Sequence, residues 1–281
     1  MGVEEHNNTR CKSTLLAFIA GTALLSCSQG WAQEGERQID ASDPTKIYTY
    51  AGLGMKYNDY TNGDYMVELR LVGNLGLSEN DTLLFEGGYG SHRGLFLPTE
   101  DDQDWTDFRF RWFHVFSVDY NIEKGYRGWS TQVDLQLAGS LKGTDGQNQL
   151  ALGVMPVYAL GGAWNLYLQL NVVSAWDKSF SKYNGSGPAI APQFVYSPDG
   201  FWRGAQLQII PQYTYFMNGN LDGEGSGKLE VNVGGEFTPT VMWDITYEEF
   251  FDLDLKSLRK DVTREELEND WNLFFNVTTY F

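Results

Sequence analysis

The sequence of 281 residues contains very little cysteine. Its two cysteines, Cys11 and Cys27, both lie close to the N-terminus. Disulfide bonds therefore cannot hold the body of the protein together. Basic residues are also scarce, with 20 lysines and arginines against 37 aspartates and glutamates and a formal net charge of -17. We expect no basic surface that could neutralise phosphates, and this excludes nucleic acid as a predicted partner.

Long hydrophobic runs are missing after the N-terminal region. No later stretch reaches the roughly 18 consecutive apolar residues that indicate a membrane-spanning helix. The mean hydropathy of -0.36 is in the range of water-soluble proteins. This value does not exclude a membrane β-barrel, because a barrel strand is apolar only at every second residue.

The N-terminal region has the pattern of a secretory signal. Two basic residues precede the short apolar run Ser13–Ser26, and "GWA" supplies small residues at both positions required before a cut after Ala32. We predict a signal peptide over residues 1–32, followed by a periplasmic segment over residues 33–45. The stretch "LLSC", which ends at Cys27, is an alternative site at which a lipoprotein would be cut and lipidated.

Apolar and polar residues alternate through residues 46–281. In Tyr65–Leu77, for example, Leu69 and Leu71 would share one face of a strand, while Arg70 lies on the other. A period of two, with turn residues between the runs, is the pattern of β-strands. The first run is Ile47–Tyr57, and we count twelve in all. The sequence therefore predicts an all-β fold, a closed antiparallel transmembrane β-barrel of about twelve strands.

The connections between the runs also alternate in length. Long polar connections such as "SHRGLFLPTEDDQD" and "DKSFSKYNGSG" are separated by shorter ones such as "SEND" and "LGGA". Long external loops and short periplasmic turns are typical of outer-membrane barrels, and an even number of strands would place both termini in the periplasm. Tryptophans near both ends of the strands are expected to form two belts at the membrane interfaces.

Three prolines interrupt this pattern. Pro156, Pro192 and Pro211 lie inside predicted strands. Proline cannot donate a backbone hydrogen bond, and a closed barrel has no edge strand on which the missing donor would be harmless. We therefore expect a β-bulge or an error in the strand boundary at each of them.

The final stretch, Trp271–Phe281, carries a resemblance to a known group of proteins. It ends in an aromatic residue that is preceded by Val277, Phe275 and Leu273 at alternate positions, and in this it resembles the last strand of the bacterial outer-membrane β-barrel superfamily. The resemblance covers the architecture of residues 46–281 and is similar in size to twelve-stranded channels, without identifying a subfamily. It implies export to the outer membrane of a Gram-negative cell, contact with lipid and lipopolysaccharide, and recognition of Phe281 by the barrel-assembly machinery.

If the apolar face of each strand meets lipid, the other face lines the lumen. The predicted pore-lining or solute-binding residues are the charged side chains on that face: Lys56, Glu68, Arg70, Glu86, Asp107, Arg109, Arg111 and Asp134 on strands one to five, and Glu230, Glu236, Asp244 and Glu248 on strands ten and eleven. They could form a constriction that selects solutes, or an ion-pair lattice that only fills a narrow barrel. Arginines on one wall that face acids on another would create a transverse field.

An enzymatic function has less support. After the predicted cleavage only His92 and His114 are left as histidines, and Ser91 would point away from His92 because neighbours on a strand face opposite ways. No nucleophile–base set and no cluster of metal ligands is evident, so no catalytic residue, metal or cofactor is predicted. The predicted function is passive uptake of small solutes through a polar, charged lumen. The alternatives are a lipid-modifying hydrolase and a structural or adhesive barrel.

Overall fold

The computed structural model describes residues 41, 43–61, 63–92, 103–141, 146–198, 204–252 and 269–281, so the predicted signal peptide lies outside it. The strands in chain order are β1 (Tyr50–Tyr60), β2 (Tyr65–Gly76), β3 (Asp81–His92), β4 (Gln103–Val118), β5 (Gly125–Ala138), β6 (Asn148–Gly161), β7 (Trp164–Trp176), β8 (Tyr183–Tyr196), β9 (Gln206–Tyr215), β10 (Gly225–Thr238), β11 (Val241–Asp252) and β12 (Asn269–Tyr280). A turn of 3-10 helix, Gly219–Leu221, lies between β9 and β10. No helix among the described residues is long and apolar enough to span a membrane.

The twelve strands form one closed antiparallel barrel. Each strand pairs with its neighbours in chain order, and β12 pairs with β1 to close the sheet. In the closing pair, Leu53 lies opposite Val277 and Lys56 lies opposite Phe274. Because every strand has a partner on both sides, the barrel has no sheet edge with a row of unpaired backbone groups. The predicted fold class and number of strands are confirmed.

Apolar side chains lie on the outside of this barrel and polar side chains on the inside. Leu53 and Leu71 are 60% and 51% exposed, whereas Glu68 and Arg70 are only 2% and 6% exposed. Water-soluble proteins usually distribute these residue types the other way round. An outward apolar band around a polar interior is the distribution that a surrounding hydrocarbon phase requires.

Five connections lie at one end of the barrel, here called the short-turn end, and two of them have only two residues, although the β1–β2 connection at the other end, residues 61–64, is also short. The five are residues 77–80, 119–124, 162–163, 197–205 and 239–240. In the connection 162–163, Gly162 has a φ angle of 60°. Positive φ at the first position of a two-residue hairpin loop favours glycine. Gly161, the last residue of β6, has a φ angle of 100° beside a shift of register. The opposite end of the barrel is called the long-loop end.

The ends of the strands differ from the sequence prediction where polar residues face the interior. β1 runs over Tyr50–Tyr60 rather than Ile47–Tyr57. Asn58 is 2% exposed, and its amide donates to Glu68 Oε1 at 2.6 Å. "NDY" therefore belongs to the strand, although its composition is typical of a loop.

The prolines are accommodated in two ways. Next to Pro156, which pairs with Trp129, the register of β5 shifts, so a bulge lies close to the expected place. For Pro192 and Pro211, the expected bulge or boundary error is wrong. The β8–β9 register is the same on both sides of them, but residue pairing stops after Ile190 and resumes at Phe194. In this register the two prolines lie opposite each other. Neither strand therefore has a backbone N–H to donate to the other at this position.

Candidate functional site

Arg70 lies at the centre of an ion-pair network inside the barrel. Its guanidinium donates to Glu68 on the same strand at 2.8 Å, and to both carboxylate oxygens of Asp107 on β4 at 2.8 and 3.1 Å. Thr106 also donates to Glu68, at 2.8 Å. The side chains of β2 and β4 meet over Gly88 of β3, where a Cβ atom would lie 2.2 Å from Thr106 Oγ1. Glycine at this position therefore lets Arg70 reach across an intervening strand.

Two further arginines on β4 extend the network. Arg109 binds Asp134 of β5 with Nε at 2.9 Å from Oδ1, and Arg111 donates to Glu86 of β3 at 2.7 Å. Both pairs are diagonal, because the residue directly opposite Glu86 is Arg109 and the one opposite Asp134 is Arg111. Arg70 lies 3.7 Å from Glu86 and joins the two groups. Arg109 and Asp134 are linked to these residues through electrostatic interactions with Glu86 and Arg111, so the predicted residues of strands two to five form one set.

Side-chain exposure separates two kinds of residue within this set. Arg70 and Glu68 are 7% and 3% exposed, whereas Arg109 is 33% and Glu86 25% exposed. A buried ion pair can only stabilise the barrel wall, whereas a partly exposed charge on the inner face can contact a solute. The lattice interpretation therefore fits Arg70, and the solute-facing interpretation fits Arg109.

A second network connects β1, β10 and β11. Lys56 Nζ lies 3.2 Å from Glu248 Oε2. Lys228 pairs with Glu230 at 3.0 Å and also binds Glu248. Lys228 was missing from the predicted set, although its even number places it on the same face of β10 as Glu230.

The two networks face each other across the interior. Arg109 of β4 and Glu230 of β10 are close enough to interact electrostatically. In a ring of twelve strands, β4 and β10 are diametrically opposite. At this level the interior therefore has an arginine on one wall and an acid on the other.

The remaining predicted residues, Asp244 and Glu236, lie outside both networks. The Asp244 carboxylate accepts hydrogen bonds from Asn276 at 3.0 Å and from Asn232 at 3.3 Å. Glu236 lies near the end of β10, where its Oε1 would be 2.7 Å from a Cβ atom on Gly204. The predicted charges thus belong to several groups and do not make a single cluster.

The interior face of β6–β9 has a different chemistry. Glutamines form a chain of hydrogen bonds across it, and the best bond joins Gln193 Nε2 to Gln208 Oε1 at 2.8 Å. Gln132 of β5 donates to Asn171 of β7 at 2.6 Å. This neutral amide wall was not predicted. Each glutamine lies on the inward-facing alternate positions of its strand, as Gln169 does with Asn171 on β7, so the alternation already seen for the charged residues could have identified this wall.

Apolar clusters lie inside the barrel towards both of its ends. Near the short-turn end, Phe113 of β4 packs against Met155 and Val157 of β6, Tyr167 of β7 and Val195 of β8. Their exposed fractions are 2% or less. The cluster joins β4 to β6–β8, with which β4 does not pair, so its side chains fill part of the lumen. A smaller cluster at the long-loop end consists of Tyr60, Met66 and Leu141.

The residues before β1 also contribute to the short-turn end. Thr45 Oγ1 lies 2.6 Å from the hydroxyl of Tyr120, in the β4–β5 connection. Three residues further on, the carbonyl of Tyr48 accepts a hydrogen bond from Asn74 at 2.8 Å, and the Tyr48 ring packs edge-on against Tyr280. This segment therefore links the β4–β5 connection to β1, β2 and β12.

The histidines and their neighbours do not assemble a nucleophile–base pair in the contacts that we observe. Ser91 Oγ donates to the backbone carbonyl of His92 at 3.1 Å, so this proton is directed to the backbone. His114 Nδ1 lies 2.9 Å from Asp81 Oδ1, and Ser78 donates to the other oxygen of that carboxylate. In the described part of the chain, no three potential histidine, cysteine or carboxylate ligands cluster as a metal site would require.

Asp177 organises the connection between β7 and β8, outside the strands. Its carboxylate accepts hydrogen bonds from the hydroxyl and backbone N–H of Ser181 at 2.6 and 2.8 Å, and from the backbone N–H of Lys182 at 3.2 Å. The Ser181 hydroxyl is the main cause that lowers the pKa of Asp177 below its ordinary value of 3.8. The turn also holds Phe180 at a positive φ of 59°.

Comparisons with known proteins identify the fold. No protein-family model matches the chain, and no curated protein is significantly similar to it in sequence. An outer-membrane channel from Pseudomonas putida F1 superposes with a TM-score of 0.55 at 12% identity, over 87% of this chain and 100% of that one. The NanC porin gives a TM-score of 0.50 at 8% identity, over 83% and 100%. The chain therefore has the fold of the twelve-stranded outer-membrane barrels, in agreement with the resemblance seen in the sequence.

Proposed function

We propose that the protein is an outer-membrane channel for passive uptake of small hydrophilic or amphiphilic solutes. The observation that carries this proposal is the interior charge pattern, in which the partly exposed Arg109 of β4 faces Glu230 of β10 across the barrel. Charged side chains at a narrow level are the usual means by which a pore selects solutes. The fold supports the proposal, because the neighbours of similar structure are described as a channel and a porin.

The proposed location in the outer membrane rests on the outward apolar band together with the predicted signal peptide. In that location the band would contact lipid and lipopolysaccharide. The role of Phe281 as a signal for the assembly machinery stays a prediction.

Recordings in planar lipid bilayers test the proposal. Refolded protein should produce discrete conductance steps in potassium chloride, and liposomes that contain it should swell in solutions of small sugars or amino acids. Protein that is denatured before addition serves as the control. Absence of both conductance and swelling from correctly folded protein would contradict the proposal and favour the structural or adhesive alternative.

A further inference from the structure

Two arginines of β4 keep hydrogen-bond donors that are open to the lumen. Arg109 binds Asp134 through Nε and Nη2, and Arg111 binds Glu86 through Nη2 alone. No described residue accepts a hydrogen bond from Nη1 of either arginine, or from Nε of Arg111. The side chains of Arg109 and Arg111 are 33% and 22% exposed. Free guanidinium N–H groups on the inner face can bind a carboxylate group of a solute.

Glu230 of β10 keeps a hydrogen-bond acceptor that is open to the lumen. Its Oε2 accepts from Lys228 Nζ at 3.0 Å, whereas no described residue donates to its Oε1. The side chain is 21% exposed. Lys228 also binds Glu248, so two acids share this one positive charge. The free carboxylate oxygen of Glu230 can therefore accept a hydrogen bond from an ammonium group.

The free donors and the free acceptor lie on opposite walls. β4 and β10 are diametrically opposite in the ring of twelve strands. Arg109 nevertheless interacts electrostatically with both Glu230 and Lys228. Among the described residues, no ion pair joins these two walls. A solute that passes between the walls therefore meets free donors of positive charge on one side and a free acceptor of negative charge on the other.

We propose that the channel prefers small zwitterions, which are solutes that carry both an ammonium and a carboxylate group, as amino acids do. The carboxylate accepts from Arg109 and Arg111, and the ammonium group donates to Glu230. This inference rests on the proposed function, because it names the class of solute that the channel takes up. A solute with a single charge finds a partner on one wall only, and a neutral solute finds no charged partner. Because each of these three side chains also has an ion-pair partner in its own wall, the binding is weak and reversible, as passage through a pore requires.

Liposome swelling with pairs of isomers tests this preference. Glycine and glycolamide have the same molecular formula, as do β-alanine and lactamide, but only the amino acid of each pair is a zwitterion at neutral pH. Liposomes that contain the wild type should swell roughly two- to fivefold faster in the amino acid than in its isomer, which is the effect expected of one exposed pair of charges. Liposomes without protein give the passive rate, which is subtracted.

A substitution on β10 tests the acceptor. Glu230→Gln removes the negative charge, and Lys228 stays paired with Glu248 in this variant. The variant should swell at similar rates in an amino acid and in its isomer. Glu236→Gln makes the same chemical change near the end of β10, outside both networks, and it should keep the difference seen in the wild type.

A substitution on β4 tests the donors. In Arg111→Gln, Glu86 keeps a cationic neighbour, because Arg70 lies 3.7 Å from it. This variant should lose most of the difference between the isomers, since the zwitterion is bound at both ends. Equal swelling of the wild type in both isomers, with its conductance in potassium chloride intact, would overturn the preference and leave the proposed channel standing. A difference that survives either Glu230→Gln or Arg111→Gln at full size would also overturn it. Absence of conductance and of any swelling would refute the channel and this inference together.

Discussion

The barrel wall has a neutral part of four strands and a charged part of eight, called below the neutral half and the charged half, which share one backbone geometry but differ in charge. None of the residues that form β6–β9 is charged. The strands from β10 through β12 and β1 to β5 carry all of the ion pairs described above. Because the strands pair in the same antiparallel way in both parts, apart from the gap between β8 and β9 at the two prolines, the side chains create this difference.

The difference shows that the two parts of one barrel wall can contribute in different ways to joining the strands and to lining the lumen. The charged half joins strands through long side chains that reach diagonally or across a glycine, and it sets a field across the lumen. The neutral half contributes amides and most of the apolar cluster that narrows the short-turn end. A solute at the level of Arg109 would meet this arginine on β4 and an acid on the opposite strand β10, with the neutral strands β6–β9 lying between the two on one side.

Removal of Arg70 should produce the largest effect. Arg70→Met would leave Glu68 buried without a cation and Asp107 without its bidentate partner. Breaking a buried ion pair by removing one member typically costs about 3–5 kcal/mol. We expect a loss of that size in the free energy of unfolding, measured by urea titration in phospholipid vesicles with tryptophan fluorescence.

The matched change on the neutral wall is Gln193→Met. Gln193 is as well buried as Arg70, at 7% exposed, but its replacement removes only neutral hydrogen bonds, a short one to Gln208 and a long one from Gln169. A cost of about 1 kcal/mol is expected. If both variants lose the same stability, the charged half has no special structural role.

The asymmetry between the halves could be read only in part from the sequence. The alternation of residues such as Leu69, Arg70 and Leu71 predicted the barrel, because a period of two has one structural meaning over many runs. The same rule fails at the strand ends. Asn58 is polar because it faces the interior, and a polar lumen residue cannot be distinguished by composition from a loop residue.

The pairing of the charges was beyond sequence reasoning. Arg111 binds Glu86 and not the directly opposite Asp134, because strand tilt and register bring diagonal side chains together. The sequence gives the faces of the strands but does not give their register. The apolar cluster around Phe113 was missed for a related reason. Its member on β4 comes from a strand that does not pair with the strands of the other members, and alternation alone does not show which residues meet inside the lumen.

Truncating a side chain in the apolar cluster around Phe113 should have the next largest effect on stability. Most of this cluster belongs to the neutral half. Met155 is fully buried in that cluster. Met155→Ala should lower the free energy of unfolding by about 2 kcal/mol, at the low end of the range for such changes because water can enter the space. It should also raise the single-channel conductance, since less apolar volume fills the short-turn end. Leu152→Ala, on the outward face of the same strand, should leave the conductance unchanged. An equal increase in both variants would show that the apolar volume at Met155 does not limit the conductance.

Changing the electric field across the lumen should have a smaller effect, and this effect is on ion selectivity. Arg109→Gln removes a positive charge that is partly exposed on the inner face. One charge at about 8 Å in water-like surroundings contributes about 0.5 kcal/mol, which is a factor of roughly 2 for each ion. The permeability ratio of cations to anions should therefore rise by about fivefold, measured as a reversal potential in a potassium chloride gradient. Gln193→Met should not shift this potential, and a shift of equal size in both variants would remove the distinction between the walls.

The smallest effect is expected outside the strands, on the local stability of the β7–β8 connection at the edge of the neutral half. Hydrogen bonds from Ser181 and Lys182 favour the charged form of Asp177 and lower its pKa below 3.8. The stabilisation is therefore fully present above pH 3.8 and is lost as the pH falls through the lowered pKa of the folded state. Protection of the Ser181 and Lys182 amides against hydrogen exchange, corrected for the intrinsic rate, should fall over that range in the wild type. In Asp177→Asn the protection should be weaker at neutral pH and independent of pH. A wild-type turn that stays equally protected below the pKa would show that the backbone alone, with Phe180 in its left-handed conformation, holds this connection.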